Sequence, residues 1–487
     1  MRLRLPVSAC MALVLFGCRS VGPSQAPSGA AGPSQAAEAL PPLPAACGVP
    51  SSGTHSRSDE PVGDALAVFD TAWTIIRRTH WDSTYNGVNW VALRDTLRPR
   101  AAAAKTRGEL RGVLSTMVGR LRQSHFTIIP QEVADATGAS SGTSSGAGAA
   151  TGAPRGPSGS LGMETRLVDN AVVVAQIDTG GPAWQAGVRT GWTVTAVRDC
   201  PTAARLARIP RSLEPRRISL MAYQMMSQSL GGSVGDSIRI DFADQGNQQR
   251  SLTLVQGPMP GTIVKFGNLP PVDANLTWSR VKRSGRTIGV IHFNIWMPIL
   301  SGAFDAALDS LRASDAIVLD VRGNLGGVGG MSMGIAGHFL DTAVAIGTMT
   351  QRGSTLRFVA NPRRVNPSNQ AVRPFAGPLA LVVDPMSAST TEIFAGGLQA
   401  IGRATVFGTQ TAGQALPSIA ERLPNGDILY HAIADFLGPN GKPVEGDGVL
   451  PDRVIPLERR ALLDGRDPAL DAAIAWAALQ AKRPIVP

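Results

Sequence analysis

The chain has 487 residues, 43% of them hydrophobic, which is length for about three domains and enough apolar material for a sizeable core, so a wholly disordered polymer is excluded. Its 54 Gly and 36 Pro exceed the average share of roughly 12% for the two together but fall short of the ~25–30% of low-complexity chains. Four Cys exclude a disulfide-built scaffold, and a formal net charge of +10 raises the question of nucleic acid or anionic surfaces.

Met1 to Arg4 is a short basic start, and Leu5 to Gly17 is a mostly apolar run. Together they predict a secretory signal peptide, because the run is too short to span a bilayer as a mature helix of about 20 residues. The ending Leu15-Phe16-Gly17-Cys18 resembles a bacterial lipoprotein signal, which implies residues 1–18 as the signal and lipidation of Cys18. Phe16 is bulky for that position, so simple secretion stays open. Residues 19–62, rich in Pro, Ala, Gly and Ser, are expected to be a flexible tether to a membrane-held lipid anchor. No later segment reaches 18 uninterrupted apolar residues, so no transmembrane helix is predicted. Cys47 and Cys200 remain, and they could pair outside the cytoplasm, although Cys47 lies in the tether.

Composition separates three folded blocks. Residues 63–131 read as helical: Leu66, Phe69, Trp73 and Ile76 share one helix face, and a second periodic stretch runs from Glu109 to Leu121. Residues 132–158, mostly Gly, Ser, Ala and Thr, read as a disordered linker. A β-rich block follows at 159–258, with a strand predicted at Ala171 to Ala175. The last block, 259–487, alternates strands (Ile288–Ile295, Ala316–Val321, Leu379–Val383) with helices (Ala303–Leu311, Thr391–Ile401), the pattern of βαβ units and a mostly parallel sheet.

In the middle block, Ser160-Leu161-Gly162-Met163 is similar to the carboxylate-binding loop of PDZ domains. The stretch Gly181-Pro182-Ala183-Trp184-Gln185-Ala186-Gly187-Val188-Arg189-Thr190-Gly191 resembles the helix and turn of bacterial PDZ domains. Trp192 stands where that family usually has Asp. The resemblance implies that Leu161, Gly162 and Met163 capture a peptide C-terminus through backbone N–H groups. Five Arg (205, 208, 211, 216, 217) follow in a stretch that is long for such a domain and is expected to lie near the groove.

Two segments of the last block carry chemistry. Asp320-Val321-Arg322-Gly323-Asn324-Leu325-Gly326-Gly327 ends one buried strand, and Ser387-Ala388-Ser389-Thr390-Thr391-Glu392 follows another and opens a helix. A Ser on a strand-to-helix turn exposes its Oγ, and glycines let backbone N–H groups approach a reacting carbonyl. Ser389 and Glu392 also form a capping-box pattern that would occur at any helix start. Asp320 and Arg322 read as a structural ion pair under the glycine turn.

With Gly408-Thr409-Gln410-Thr411-Ala412-Gly413 and Val444-Glu445-Gly446-Asp447-Gly448-Val449, these segments resemble the carboxy-terminal-processing (tail-specific) serine protease family. The resemblance implies an α/β fold class: an N-terminal helical segment, a PDZ-like β-rich domain, and a βαβ-built catalytic core of the crotonase-like (ClpP/crotonase) type. It implies Ser389 as nucleophile. Well-known members use a Ser–Lys dyad, but the Lys position here holds Gln414, and an amide cannot take the serine proton at neutral pH. The branch resembling the tricorn protease core uses His instead, and Gln123-Ser124-His125-Phe126-Thr127 resembles its motif, with Phe126 where Thr or Ser is more usual. That branch implies His125 as base, Ser124 and Glu445 holding the imidazole, and an oxyanion hole from the N–H groups of Thr390 and of Gly326 or Gly327. The implied activity is a serine endopeptidase acting on polypeptides, unfolded or by their C-terminal tails, in the cell envelope of a bacterium. A catalytically silent ligand- or peptide-binding protein on the same fold is the alternative. The Cys and His form no metal motif and there is no phosphate-binding loop, so neither metal nor other cofactor is expected. With 5% aromatics and scattered Arg, no nucleic acid is expected as partner.

Overall fold

A computed structural model describes residues 57–135, 158–269 and 271–481, together with Pro44 and Cys47. The expected signal peptide, its Cys18, and most of the tether and linker lie outside the described residues. Among the described residues, no helix is long and apolar enough to cross a membrane.

The periodic stretch beginning at Leu66 forms α1 (Ala65–Thr79), capped by the Asp64 carboxylate, which accepts from Ala67 N–H at 2.9 Å. Its face of Phe69, Trp73 and Ile76 is buried. Helix α2 (Trp90–Ala103) has no clear stripe in the sequence: it buries only Trp90, Leu97 and Ala101 and carries Pro99. Helix α3 (Arg107–Gly119) buries Leu110, Leu114 and Met117, as the stretch from Glu109 predicts. The three helices close over a core completed by Leu423 and Leu429, about 300 residues later in the chain. Strand β1 (Thr127–Ile129) follows them.

The middle block is built on an antiparallel sheet. Strands β2 (Met163–Val168), β3 (Ala171–Ile177) and β4 (Thr193–Val197) are followed by helix α4 (Pro215–Leu230) and strands β5 (Ser237–Ala243) and β6 (Gln249–Val255), and the sheet runs β2-β3-β4-β5-β6. Strand β2 therefore lies at an edge, directly after the Ser160–Met163 loop, with α4 packed beside it. Trp192 is absorbed into this module's core, edge-on to Phe242 at 5.9 Å. Cys47 and Cys200 form a disulfide, so the tether is joined to this module at Cys47.

The last block is built on a six-stranded sheet. It comprises β7 (Leu276–Arg283), β8 (Arg286–Phe293), β9 (Ala316–Asp320), β12 (Leu379–Val383), β13 (Thr405–Gly408) and β17 (Arg453–Val454), in that spatial order. Only the edge pair β7–β8 is antiparallel; the other neighbours are parallel. Every residue of β9 and β12 is buried, because helices cover both faces. One face packs on α5 (Leu300–Leu311) and α6 (Thr390–Ala400) through Phe304, Leu308, Phe394 and Leu398. The other packs on α7 (Pro468–Gln480) through Ala473 and Ala477. Between these elements, β10 (Val344–Gln351), β11 (Ser354–Ala360) and β16 (Ala434–Leu437) make a three-stranded sheet, and β14 (Ser418–Arg422) and β15 (Ile428–Ala432) make another with β1.

The α/β alternation holds, but the crotonase-like (ClpP/crotonase) core expected from the sequence does not. The framework is a single open mixed sheet sandwiched between helices, with two three-stranded antiparallel sheets and a short hairpin (Thr262–Val264 with Val272–Ala274) set off it. Strand–helix alternation is common to many parallel-sheet folds and could not distinguish them, because strand order depends on contacts remote in sequence.

The pairing of β1 with β15 matters for the site, since it ties the tail of the helical segment to the last block in the register Thr127↔Tyr430, Ile128↔Leu429. A buried ion triplet reinforces it. Arg111 of α3 donates to Asp427 (2.9 and 2.7 Å) and to Glu132 (2.8 Å to each oxygen). Burial opposes the Arg111 charge, but the bonds to Asp427 and Glu132 outweigh it and raise its pKa. Both carboxylates are lowered despite their own burial, chiefly through their bonds to Arg111. Replacing Arg111 with Met should therefore cost about 3–5 kcal/mol of stability at pH 7, because two desolvated carboxylates lose their counter-charge. The deficit should shrink as pH falls through the carboxylate range and protonation neutralises them. Urea unfolding at pH 7 and pH 5 checks this; a deficit under about 1 kcal/mol at pH 7 would contradict it.

Candidate active site

Ser389 sits where β12 hands over to α6, with φ 57° and ψ −120°. A non-glycine residue at that φ is strained, and such strain persists only where its surroundings hold it. Three contacts hold it. Ser389 N–H donates to Gln414 C=O at 2.7 Å, and the Glu392 carboxylate also accepts from it at 3.1 Å. Behind it, Gly326 approaches so closely that an added Cβ would lie 2.6 Å from Ser389 Cβ and 3.1 Å from Thr390 N.

The glycine turn 323–327 is fixed by a buried network. Asn324 Oδ1 accepts from Gly326 N–H at 3.0 Å, and Asn324 Nδ2 donates to Phe293 C=O at 3.0 Å. Trp296 Nε1 donates to Thr391 Oγ1 at 2.8 Å, Thr391 donates on to Asn324 C=O at 2.9 Å, and Thr390 Oγ1 donates to Gly327 C=O at 2.8 Å. Of the two glycines singled out in the sequence, Gly326 thus has its N–H engaged. Among the described residues, no hydrogen bond engages that of Gly327. Thr390 N–H, in the first turn of α6, has no intrahelical acceptor. The Asp320–Arg322 pair expected beneath the turn forms at 2.6 Å, and Asp467 at the start of α7 joins it at 2.6 Å.

His125 comes from the other end of the chain, two residues before β1, and also has a positive φ of 61°. Its Nδ1 lies 2.6 Å from Ser124 Oγ, and its ring is 5.5 Å from that of Tyr430. Ser124 Oγ donates to Glu445 at 2.8 Å, and Ser124 N–H donates to the other Glu445 oxygen at 2.8 Å. Glu445 also accepts from Ala415 N–H at 3.0 Å. Because Gln414 bonds Ser389 and Ala415 bonds Glu445, adjacent residues of one segment join the two halves of the site. Among the described residues, no hydrogen bond links Ser389 Oγ directly to the His125 ring. Burial lowers the His125 pKa to about 4, which keeps the imidazole neutral at neutral pH. Glu445 is raised by burial, with its bonds from Ser124 opposing the shift.

Glu392 was legible in the sequence only as a helix cap. It is fully buried and accepts from Thr411 Oγ1 (2.5 Å), Gly413 N–H (2.7 Å) and Gln414 N–H (2.9 Å) besides Ser389. Burial pushes its pKa up to about 7 against the pull of those four donors. Its carboxylate thus pins the 411–414 segment beneath the serine.

In the β-rich module, Leu161 is buried, Gly162 has φ 67°, and Gly162 N–H donates to Ser160 Oγ at 3.0 Å. Met163 opens the edge strand β2. Between β2 and α4, Arg166 lies over the Tyr223 ring at 5.1 Å and bonds Asp384, five residues before Ser389, at 2.9 Å. A cavity of about 810 Å³ adjoins this contact at the carboxyl ends of the parallel strands, lined among others by Arg166, Arg216, His292 and Asp384. Ser389, His125 and Glu445 do not line it.

A serine on a strained strand-to-helix turn, free N–H groups beside it, and a neutral imidazole backed by a hydroxyl and a carboxylate can together perform nucleophilic acyl transfer. Comparisons with known proteins agree. The Peptidase family S41 model matches residues 287–455, and the Tricorn protease C1 domain model matches residues 64–119. Carboxyl-terminal-processing peptidase 2, chloroplastic, of Arabidopsis thaliana is 27% identical over 80% of this chain and 68% of its own length. The carboxyl-terminal-processing protease of a Picosynechococcus species is 24% identical over 80% of this chain and 82% of its own length. Among solved structures, the photosystem II D1 C-terminal processing protease aligns with a TM-score of 0.53 at 19% identity, covering 84% of this chain and 99% of its own. Mature CPAF complexed with lactacystin aligns at 0.56 and 12% identity, covering 86% and 98%. These neighbours have the S41 protease fold, PDZ-like and protease portions in one chain, and so overturn the crotonase-like expectation. The relatives that match along four-fifths of this chain are named carboxyl-terminal-processing proteases, and this chain, similar to them and to the S41 and tricorn models, is a serine-type endopeptidase.

Proposed function

We propose that this endopeptidase works with a histidine base, takes polypeptides by their C-terminal tails, and does so outside the cytoplasm. The observation that carries the reading is the hydrogen-bonded series Glu445–Ser124–His125, joined to Ser389 through residues 414 and 415. Ser124 donates its only hydroxyl proton to Glu445, so it accepts from His125 Nδ1–H, and that tautomer leaves the Nε2 lone pair as base. Ser389 Oγ then attacks a peptide carbonyl while His125 Nε2 takes its proton and passes it to the leaving amine. Water hydrolyses the acyl-enzyme by the same route in reverse. The contact between Ser389 and His125 tightens as substrate enters. Thr390 N–H and Gly327 N–H stabilise the oxyanion, and Gly326 shapes the turn behind the serine.

The Ser160–Met163 loop and the open edge of β2 suit a peptide that adds a strand and places its carboxylate on backbone N–H groups, displacing the Ser160 hydroxyl. The Cys47–Cys200 disulfide supports an oxidising compartment, in keeping with an exported chain held by a lipid on Cys18.

A pH profile of kcat/KM on a tailed peptide, with its C-terminus free or amidated, tests both parts. A histidine held neutral by burial keeps activity flat from pH 8 to below 6.5 and loses it as pH falls towards about 4, where the ring protonates. Amidation should raise KM by about tenfold, the loss of one charge-assisted site. An acid limb above pH 7 would remove the histidine from the base role, and equal KM values would remove tail recognition.

A further inference from the structure

Glu445 sits in the sequence Val444-Glu445-Gly446-Asp447-Gly448, where Gly446 and Gly448 both have positive φ, 86° and 66°. Two glycines in three residues leave the backbone much conformational freedom, so an ordered Glu445 needs outside support. Some comes from within the block: Gly446 N–H donates to Gly413 C=O at 3.0 Å, and Gln410 Nε2 donates to Asp447 C=O at 2.8 Å. Further support comes from another module. Arg216, in the first turn of α4, donates one guanidinium nitrogen to Gly446 C=O and another to Asp447 C=O. Its own orientation is set by Glu214, which accepts from Nε at 2.8 Å and from Nη2 at 2.7 Å. The Arg216 side chain is only 10% exposed in this position.

We infer that Arg216 is a positioning residue for hydrolysis: from the helix beside the peptide groove, it holds the loop that presents Glu445 to Ser124 and His125. The guanidinium fork spans two successive carbonyls, which a point charge cannot do, and so fixes the direction of the loop as well as its distance. The two carbonyls belong to the two residues that follow Glu445, so a shift there is passed to the carboxylate along a short stretch of backbone. The base assembly is therefore complete only while α4 is docked against the last block, and a charge on the PDZ-like module contributes to chemistry it never touches. This inference rests on the histidine-base reading of Glu445.

The test is a double-mutant cycle in the full chain, with an internally quenched, unfolded polypeptide as substrate. Arg216→Ala should lower kcat by about ten- to a hundredfold, the penalty of misplacing a catalytic array by around 1 Å, with KM changed less than about twofold. Arg216→Lys should recover part of kcat. Glu445→Ala should lower kcat at least as far, and the double variant should be no worse than Glu445→Ala alone, because Arg216 acts through that residue. Thermal unfolding of each variant separates this from a loss of fold, which would lower the folded fraction and add to the Glu445 effect. Normal kcat in Arg216→Ala with a damaged Glu445→Ala would overturn the inference and leave the histidine reading intact, as would effects that multiply in the double variant. Full activity in Glu445→Ala would overturn both.

Discussion

Ser389→Ala should give a folded protein whose hydrolysis of unfolded polypeptide falls by about 10⁴-fold or more, to the level left by binding and the oxyanion donors alone. The backbone strain at φ 57° is set by the bonds from Gln414 and Glu392 and by Gly326 behind the residue, none of which uses the Oγ. The alanine therefore inherits the turn, and only the nucleophile is lost. Labelling by a fluorophosphonate, which needs the same oxygen, should vanish with it. Thermal unfolding close to that of the parent, together with absent turnover, is the expected pair of results. Retained cleavage by the alanine protein would place the nucleophile elsewhere.

His125→Ala should be nearly as severe, since a serine hydroxyl without a base is a poor nucleophile at neutral pH. Gln414→Ala, by contrast, should change kcat/KM by less than about threefold. Gln414 stands where Ser–Lys relatives carry the base, yet its contacts to Ser389 and Glu392 are made by backbone atoms that an alanine keeps. Single-turnover rates at pH 7.5 for the two variants distinguish the readings, because residues acting as a unit lose most of their effect together. The reverse order of severity would return the base to the 414 position and remove it from His125.

Side chains explain why the two halves of the site were unequally legible. Ser389 announces itself locally, since a buried strand, a small-residue turn and a helix start are all contained in fifteen residues. His125 does not: 264 residues separate it from Ser389, and only family resemblance singled it out among six His. What brings it home is the register of β1 on β15, together with the Arg111–Asp427–Glu132 cluster that anchors α3 to the same hairpin. Glu392 was visible as a capping residue, but the three further donors from residues 411–414 that make it a buried tie under the serine come from a loop 20 residues away.

The sequence by itself determined what short-range chemistry determines. The apolar faces of α1 and α3, the continuous runs of β9 and β12 and the nucleophile turn follow from periodicity and turn chemistry within one segment. It also showed Gln414 where the Ser–Lys relatives carry their Lys, which is what turned the expectation towards a histidine base. Only the tertiary structure decided the rest: the mixed sheet in place of a crotonase-like core, the Cys47–Cys200 bridge, the engagement of Gly326 N–H by Asn324, and the reach of Arg216 to the Glu445 loop. Each depends on groups far apart in the chain, and their meeting is fixed by packing of whole elements, which local pattern does not encode. The abundance of glycine acquires a sharper meaning in that light. At 326 it allows backbone to close on the serine, at 327 on the Trp296 backbone, and at 446 and 448 it gives the Glu445 loop positive φ angles that few other residues adopt.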